Sequence, residues 1–315
     1  MGDKTGINWT DATWNPIVGC SVVSPGCKNC YAMREARRLE AMGVTKYVGL
    51  TDVVNGKAVF NGTVRLVEGA LDQPLRWSRP RRIFVNSMSD LGHEVLRRGD
   101  VFQVLEAMEH ADRHVFQVLT KRPEVLFAHL CAYHPAKGTE PAHMAFNHVW
   151  WGVSVEDQAR ADERLADARR MDEAGYRVWV SYEPAIGPVD WTGWEFIAGM
   201  VSGGESGPNA RPSHPDWHRH TDYWCAKHGI PYDFKQWGEW APGDCAAGLS
   251  TRAKTAAHYG SRRWFYSDLT AREQAEMHCE DEPDVYRLGR KAAGRTLDGA
   301  VHDGFTRVCA PAGSV

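Results

Sequence analysis

No run of apolar residues in this 315-residue chain is long enough to cross a membrane. Its first residues lack the charged and apolar regions of a secretory leader. The start Met-Gly-Asp-Lys-Thr-Gly also fails the myristoylation pattern, because Gly6 stands where a Ser or Thr is required. The expectation is a cytoplasmic protein without a membrane partner. A surplus of one charge sign is missing too. Lys and Arg number 37 against 40 Asp and Glu, for a net charge of −3. No broad field therefore draws the chain to duplex nucleic acid or anionic lipid, although a local basic patch is compatible with these totals. Internal repeats and low-complexity tracts are absent. With 43% hydrophobic and 24% charged residues, the composition is that of a globular chain able to bury a substantial core, as one large domain or two ordinary ones.

Eight cysteines without a secretion signal indicate a reducing compartment and free thiols. Five of them (Cys131, Cys225, Cys245, Cys279 and Cys309) are isolated, and each reads as a small buried hydrophobe. The other three share the stretch Gly19-Cys-Ser-Val-Val-Ser-Pro-Gly-Cys-Lys-Asn-Cys-Tyr-Ala32. Cys20, Cys27 and Cys30 are thus spaced C-x6-C-x2-C, and no fourth cysteine stands nearby. A four-cysteine zinc knuckle closes its site, whereas three thiolates leave one coordination position open. The triplet suits a cubane iron–sulfur cluster whose fourth iron takes an outside ligand. A zinc ion completed by a distant His or Asp, and a disulfide with a spare thiol, are the other readings.

Along the chain a short apolar run ending in polar residues recurs, followed by a helix-like stretch. The runs are 82–90, 114–122, 149–156, 177–183, 196–205 and 231–237. They are continuously apolar rather than alternating, which marks strands buried on both faces of a parallel sheet. Helical spacing appears at 101–111 and 157–174, and again at 215–228, where Gly229 supplies a stop. This alternation indicates an α/β barrel or a doubly wound sheet. Polar strand ends favour the barrel, where reactive groups gather at the carboxyl ends of strands. The expected fold is α/β, a TIM-like (β/α) barrel, partial or open, of six to seven parallel strands spanning 1–240. Insertions are expected at 43–80, holding a small hairpin, and at 128–148. The segment 241–315 reads as an extension packed on the barrel, with a basic hairpin at 286–299.

The strand ends offer Ser87, Ser89 and Asp90; Lys121 and Arg122; Ser154 and Glu156; Glu183; Glu205; and Lys235 and Gln236. Lys121, Arg122, Lys235 and Gln236 suit a clamp on a substrate phosphate or carboxylate. Ordinary pairing with Glu156, Glu183 or Glu205 is the competing reading. Trp9, Trp14, Trp237 and Trp240 either stack a base or simply pack. His93, His214 and His218 are isolated, which is not how metal ligands usually stand.

Long literal motifs then become recognisable. They are Asn8-Trp-Thr-Asp-Ala-Thr-Trp-Asn-Pro-Ile-Val-Gly-Cys20, Asn86-Ser-Met-Ser-Asp-Leu91, Leu119-Thr-Lys-Arg-Pro123, Trp151-Gly-Val-Ser-Val-Glu156, Gly203-Gly-Glu-Ser-Gly207, Phe234-Lys-Gln-Trp-Gly-Glu-Trp240 and Lys291-Ala-Ala-Gly-Arg295. With the cysteine loop and Glu183-Pro184, they resemble the phage Gp37/Gp68 family, a domain of unknown function that looks like a divergent branch of the radical S-adenosylmethionine enzymes. Those enzymes usually carry C-x3-C-x2-C, and this chain lengthens the first gap to six residues. The resemblance implies a [4Fe–4S] cluster on Cys20, Cys27 and Cys30 that cleaves S-adenosylmethionine to a 5′-deoxyadenosyl radical. It also implies an isomerase- or lyase-type reaction, and a reductant such as flavodoxin or ferredoxin. Ser87, Ser89 and Asp90 at the second strand end, with Ser154, would bind the cofactor, and Glu156, Glu183 and Glu205 would serve catalysis.

The phage setting implies a nucleobase or modified nucleotide as substrate, in DNA modification or repair, within the host cytoplasm. A substrate of free-nucleotide size suits the near-neutral charge better than a long duplex. Two competitors remain: a zinc-stabilised nucleic-acid-binding or accessory protein without catalysis, and a barrel hydrolase using the three glutamates.

Overall fold

The computed structural model describes residues 5, 7, 9–137, 144–246, 253–269 and 285–311. Its frame is one parallel sheet of seven strands: β1 (Ala12–Trp14), β2 (Arg82–Val85), β3 (Val115–Thr120), β4 (Val149–Ser154), β5 (Val178–Tyr182), β6 (Met200–Gly203) and β7 (Tyr232–Gln236). Each strand pairs in parallel with the next in sequence. The spatial order is therefore the chain order, with no point of reversal. A doubly wound sheet reverses its winding and a barrel does not, so the fold is a (β/α) barrel. Among the described residues β7 does not pair with β1, and the barrel stays open as a curled half.

The outer face of the sheet is covered by helices at Arg98–His110, Pro123–Lys137, Gln158–Glu173 and Pro215–His228. Outward residues such as Val118, Val153, Val180 and Phe234 join the main core with Leu105, Leu126, Met171 and Trp217 from those helices. Inward residues follow the two-residue period of a strand. Near the amino ends they are aromatic, with Phe84, Trp150 and Trp179 beside Val201. Further along they become polar: Ser181 and Glu183 follow Trp179 at steps of two, and Lys235 follows Asp233. Gly152 lies against Trp179, where a Cβ would stand 2.5 Å from the indole. A methyl there would force the ring aside.

The amino end of the half-barrel is plugged by both ends of the chain. Trp9 enters from one side, and Phe305 on the short helix Gly304–Val308 stacks on Trp179 with centroids 4.9 Å apart. Asp233 on β7 anchors that helix, accepting from the Thr306 hydroxyl and from its backbone N–H at 3.2 Å. Burial raises the Asp233 carboxyl to about 6, aided by the nearby charge of Asp303, while the Thr306 bonds pull it down. The folded chain thus keeps a proton that the unfolded chain has already released. The resulting stability is present below the unfolded value near 3.8 and is lost as pH rises through about 6. Wild-type protein should lose on the order of 2–3 kcal/mol relative to Asp233→Asn between about pH 4 and 7. Urea unfolding of both proteins across that range measures this, and parallel curves would refute it.

Three sequence expectations meet a different structure. The proposed irregular insert at 128–148 begins as helix, because Pro123–Lys137 carries Leu126, Leu130 and Tyr133 into the core at helical spacing; residues 138–143 lie outside the described set. The 286–299 stretch is not a hairpin. Val285–Arg287 pairs with Trp240–Pro242 and Thr255–Gly260 in a four-stranded antiparallel sheet, and a short helix Arg290–Ala293 follows. The strand–helix rhythm also fails between β5 and β6, which are joined without a helix. The small hairpin in 43–80 is present as Thr51–Val54 against Lys57–Phe60, turning at Asn55-Gly56 with both residues at positive φ.

Candidate active site

At the carboxyl ends of the strands a cavity of 690 Å³ opens. That is room for a ligand of nucleotide or cofactor size. Of the cysteines and strand-end side chains named from sequence, all but Glu156 line it: the three cysteines, Ser87, Ser89, Asp90, Ser154, Lys121, Arg122, Glu183, Glu205, Lys235 and Gln236. The fold brings them together because it delivers every strand end to one rim.

The cysteine loop follows β1. Gly19 must be glycine, since its φ is +90° and a Cβ would stand 2.0 Å from the Thr63 carbonyl oxygen. The insertion therefore props the loop at its start, and the Gly62 N–H donates to the Cys20 carbonyl at 3.2 Å. A turn at Pro25–Cys27 follows, and Cys30 is the residue before helix α1 (Tyr31–Ala41). Ala36 and Leu39 of α1 pack with Tyr47, Leu50 and Phe60 of the insertion and with Met88.

Two of the thiols, Cys20 and Cys30, are tuned by burial. It pushes Cys20 up to about 12, helped by the charge of Asp90 and opposed by Arg122, whose Nη1 lies 3.8 Å from Sγ. Burial raises Cys30 as well, against the pull of the Ala32 and Met33 amides at the helix start. Among the described residues, no three His, Cys, Asp or Glu side chains are grouped to hold a single metal ion. Tetrahedral zinc requires sulfurs converging at about 2.3 Å from one point. A cubane instead takes each thiolate on a different iron. Three free cysteines on one loop facing one cavity supply as many thiolates as such a cluster with one open iron needs.

Glu156 lies behind the wall. It is fully buried, and its carboxylate meets Lys121 Nζ, Arg164 Nη1 at 2.9 Å and the Ser24 hydroxyl at 2.8 Å. A Cβ on Gly26 would stand 2.5 Å from its Cγ. Burial alone would raise its pKa, but Lys121 and Arg164 hold it below the usual carboxylate range. Glu156 thus supports the cysteine loop from beneath and does not face the cavity.

Glu205 ties the same loop from the other side. Its Oε2 accepts from Asn29 Nδ2 at 2.9 Å and from the Arg211 backbone and Nε, and Oε1 accepts from Arg211 Nη2. Glu183 accepts from Lys235 Nζ at 3.1 Å and from the Ser181 hydroxyl at 3.3 Å. Gly203 makes room for it, since a Cβ there would stand 2.5 Å from Oε1. Asp90 lines the cavity, yet its two oxygens already take the Thr120 hydroxyl, the Gly92 and Lys121 amides and Arg122 Nη1.

For Lys121 and Lys235 the pairing anticipated as the competing reading is what the structure holds. Arg122 is buried between Asp90, Ser21 and the Cys20 sulfur. Gln236 donates to the Ser206 hydroxyl at 2.6 Å. Ser87 and Ser89 donate to Asn15 Oδ1 and to the Ile17 carbonyl, which leaves lone pairs on each hydroxyl. Trp9, Trp14, Trp237 and Trp240 are all buried; of the four Trp9 borders the cavity, and its ring packs edge-on against Phe84 and Trp179. His93 hydrogen-bonds Ser21, His214 caps the helix Pro215–His228, and His218 lies between Ser202 and Ser213.

Sequence reasoning passed over Ser24, Asn29, Arg34, Arg164, Arg211 and Arg290. Arg164 had a signal, a cation eight positions after Glu156 on the expected helix. The others sit in loops or at helix starts, where no periodicity singles them out.

A family described as protein of unknown function (DUF5131) matches residues 4–306. No curated relative matches the chain. Among solved structures, spore photoproduct lyase complexed with dinucleoside spore photoproduct is 14% identical, with a TM-score of 0.40 over 88% of this chain and 73% of that one. A mutant of the same lyase with bound AdoMet and dinucleoside spore photoproduct is 15% identical, with a TM-score of 0.39. There the match covers 64% of this chain and 58% of that chain's length. Streptococcus suis SuiB bound to S-adenosylmethionine is 9% identical at a TM-score of 0.38, over 70% of this chain and 45% of that one. At TM-scores this low, none of these likenesses bears on the activity of this chain.

Proposed function

The chain belongs to the DUF5131 family, and we propose that it is a radical S-adenosylmethionine enzyme acting on a nucleobase or modified nucleotide. A kinship with the phage Gp37/Gp68 proteins, on the motifs quoted above, is part of this proposal. The observation that carries it is the meeting of three free cysteines and the polar ends of the strands at one 690 Å³ cavity. In this reading Cys20, Cys27 and Cys30 hold a [4Fe–4S] cluster, which supplies the electron that reductively cleaves S-adenosylmethionine.

The rest is work for this chain's own residues. Arg122, fixed by Asp90, sets positive charge beside Cys20 and favours its thiolate form. Glu156 and Glu205 hold the two flanks of the cysteine loop. Ser87, Ser89 and Ser154 offer hydroxyls for the polar groups of S-adenosylmethionine. Glu183 and Lys235 form the charged pair that faces the substrate. Trp9 and Phe84, which line the cavity and pack with Trp150 and Trp179 behind them, close it at its base and keep water from a reactive intermediate.

Anaerobic purification followed by iron analysis and reduction with dithionite tests this. About four irons per chain are expected, together with 5′-deoxyadenosine released from S-adenosylmethionine. Colourless protein holding one zinc and releasing none would refute it, and would favour the zinc-stabilised accessory protein.

A further inference from the structure

Five cations line the cavity, and three are taken: Lys121 by Glu156, Arg122 by Asp90, and Lys235 by Glu183. Arg34 on α1 and Arg290 at the start of the helix Arg290–Ala293 are exposed at the same wall. Among the described residues neither guanidinium makes a hydrogen bond or ion pair.

Both stand at one sector of the mouth. Gly207 has a φ of +111°, and a Cβ built on it would lie 3.3 Å from Arg34 Nη1. The Gly207 N–H donates to Glu239 Oε1 at 3.0 Å, and the Gly289 N–H, one residue before Arg290, donates to the Glu239 carbonyl at 3.1 Å. The segments around Gly207, Glu239 and Arg290, each part of or beside a sequence motif, therefore meet here. The acidic groups nearby are Glu239, one of whose carboxylate oxygens accepts from the Gly207 N–H, Glu35, which pairs with Arg38, and Glu205, which pairs with Arg211.

S-adenosylmethionine bears no phosphate, and its single carboxylate is one anion for two free guanidinium groups at the rim. Guanidinium forks match phosphate oxygens in bidentate geometry. Two such groups on a chain with a net charge of −3 suit one or two phosphates rather than a long duplex track. We propose that Arg34 and Arg290 grip a phosphate of the substrate, so that the enzyme takes a phosphorylated nucleotide or a strand phosphodiester and not a free base or nucleoside. This rests on the proposed function for the chemistry at the base, but not for the phosphate grip itself.

The test measures binding of thymidine 5′-monophosphate, the dinucleotide d(TpT) and its uncharged methylphosphonate analogue to the anaerobically purified full chain by calorimetry. Wild type should bind a phosphate-bearing probe more tightly than the uncharged one. Arg34→Gln and Arg290→Gln should each weaken that binding about tenfold, leave the uncharged probe unchanged, and retain the iron content of the wild type. Preference for d(TpT) identifies a phosphodiester as the target, and preference for the monophosphate a free nucleotide. Variants that bind the phosphate probes like wild type overturn the proposal, as do a wild type that binds none of them and variants that lose S-adenosylmethionine instead. Iron-free protein with arginine-dependent phosphate binding would sink the radical reading alone and leave this one standing.

Discussion

Cys20→Ala, Cys27→Ala and Cys30→Ala should each reduce the iron of anaerobically purified protein from about four per chain to near zero, and abolish cleavage of S-adenosylmethionine. The effect is all-or-none because a cubane held by two thiolates lacks a third anchor. The loop itself should persist. Its geometry is set by the Pro25–Cys27 turn, the Gly19 approach to Thr63 and the ties from Glu156 and Glu205; of the cysteine side chains, Cys27 alone touches one of these ties, in a 3.7 Å contact with the Ser24 hydroxyl. Circular dichroism and urea midpoints of the metal-free forms should therefore match. Cys131→Ala, on the exposed face of the helix Pro123–Lys137, should keep its iron and serves as the control. Cleavage that survives any one of the three changes would eliminate the cluster reading and favour the barrel hydrolase.

The second large effect is on stability. Glu156→Ala leaves Arg164 and Lys121 without their shared carboxylate, and the Arg164 side chain is only 2% exposed. Breaking a buried pair in this way costs about 3–5 kcal/mol, because the remaining charge loses its compensation. Glu156→Gln keeps the shape and the Ser24 acceptor, so it should cost less. Equilibrium urea unfolding gives both numbers. The alanine variant should also retain cluster poorly, since Ser24 and Gly26 lose the group they rest on. A cost below about 1 kcal/mol with activity lost would return Glu156 to the catalytic role expected from sequence.

Much of the architecture was legible because a parallel strand buried on both faces is a continuous apolar run. Val149–Ser154 and Val178–Tyr182 announce themselves in this way. The first strand, Ala12–Trp14, is only three residues long and its packing is tertiary, so it gave no such signal. The helix Pro123–Lys137 gave no clear signal either, because Pro135, Gly138 and Pro141 mark 128–148 as irregular and mask the core spacing of Leu126, Leu130 and Tyr133. The site was legible as a set of strand ends but not as a division of labour. That Glu156 would turn inward beneath the loop while Glu183 faces the cavity depends on register and on Arg164, which no local pattern encodes. The free arginines were harder still. Nothing distinguishes Arg34 from Arg37 or Arg38 until the fold shows which of them meets a carboxylate.

The Asn29–Glu205 bond joins residues 176 positions apart, and Ser24–Glu156 spans 132. On a ribosome the cysteine loop emerges long before either of its anchors. At about 5–20 residues per second, Glu205 is added roughly 10–35 seconds after Asn29. For that interval three thiols stand in the open, exposed to oxidants and to competing metals. For the proposed cluster, correct metallation would thus be in part a matter of timing, decided before the last strands are made.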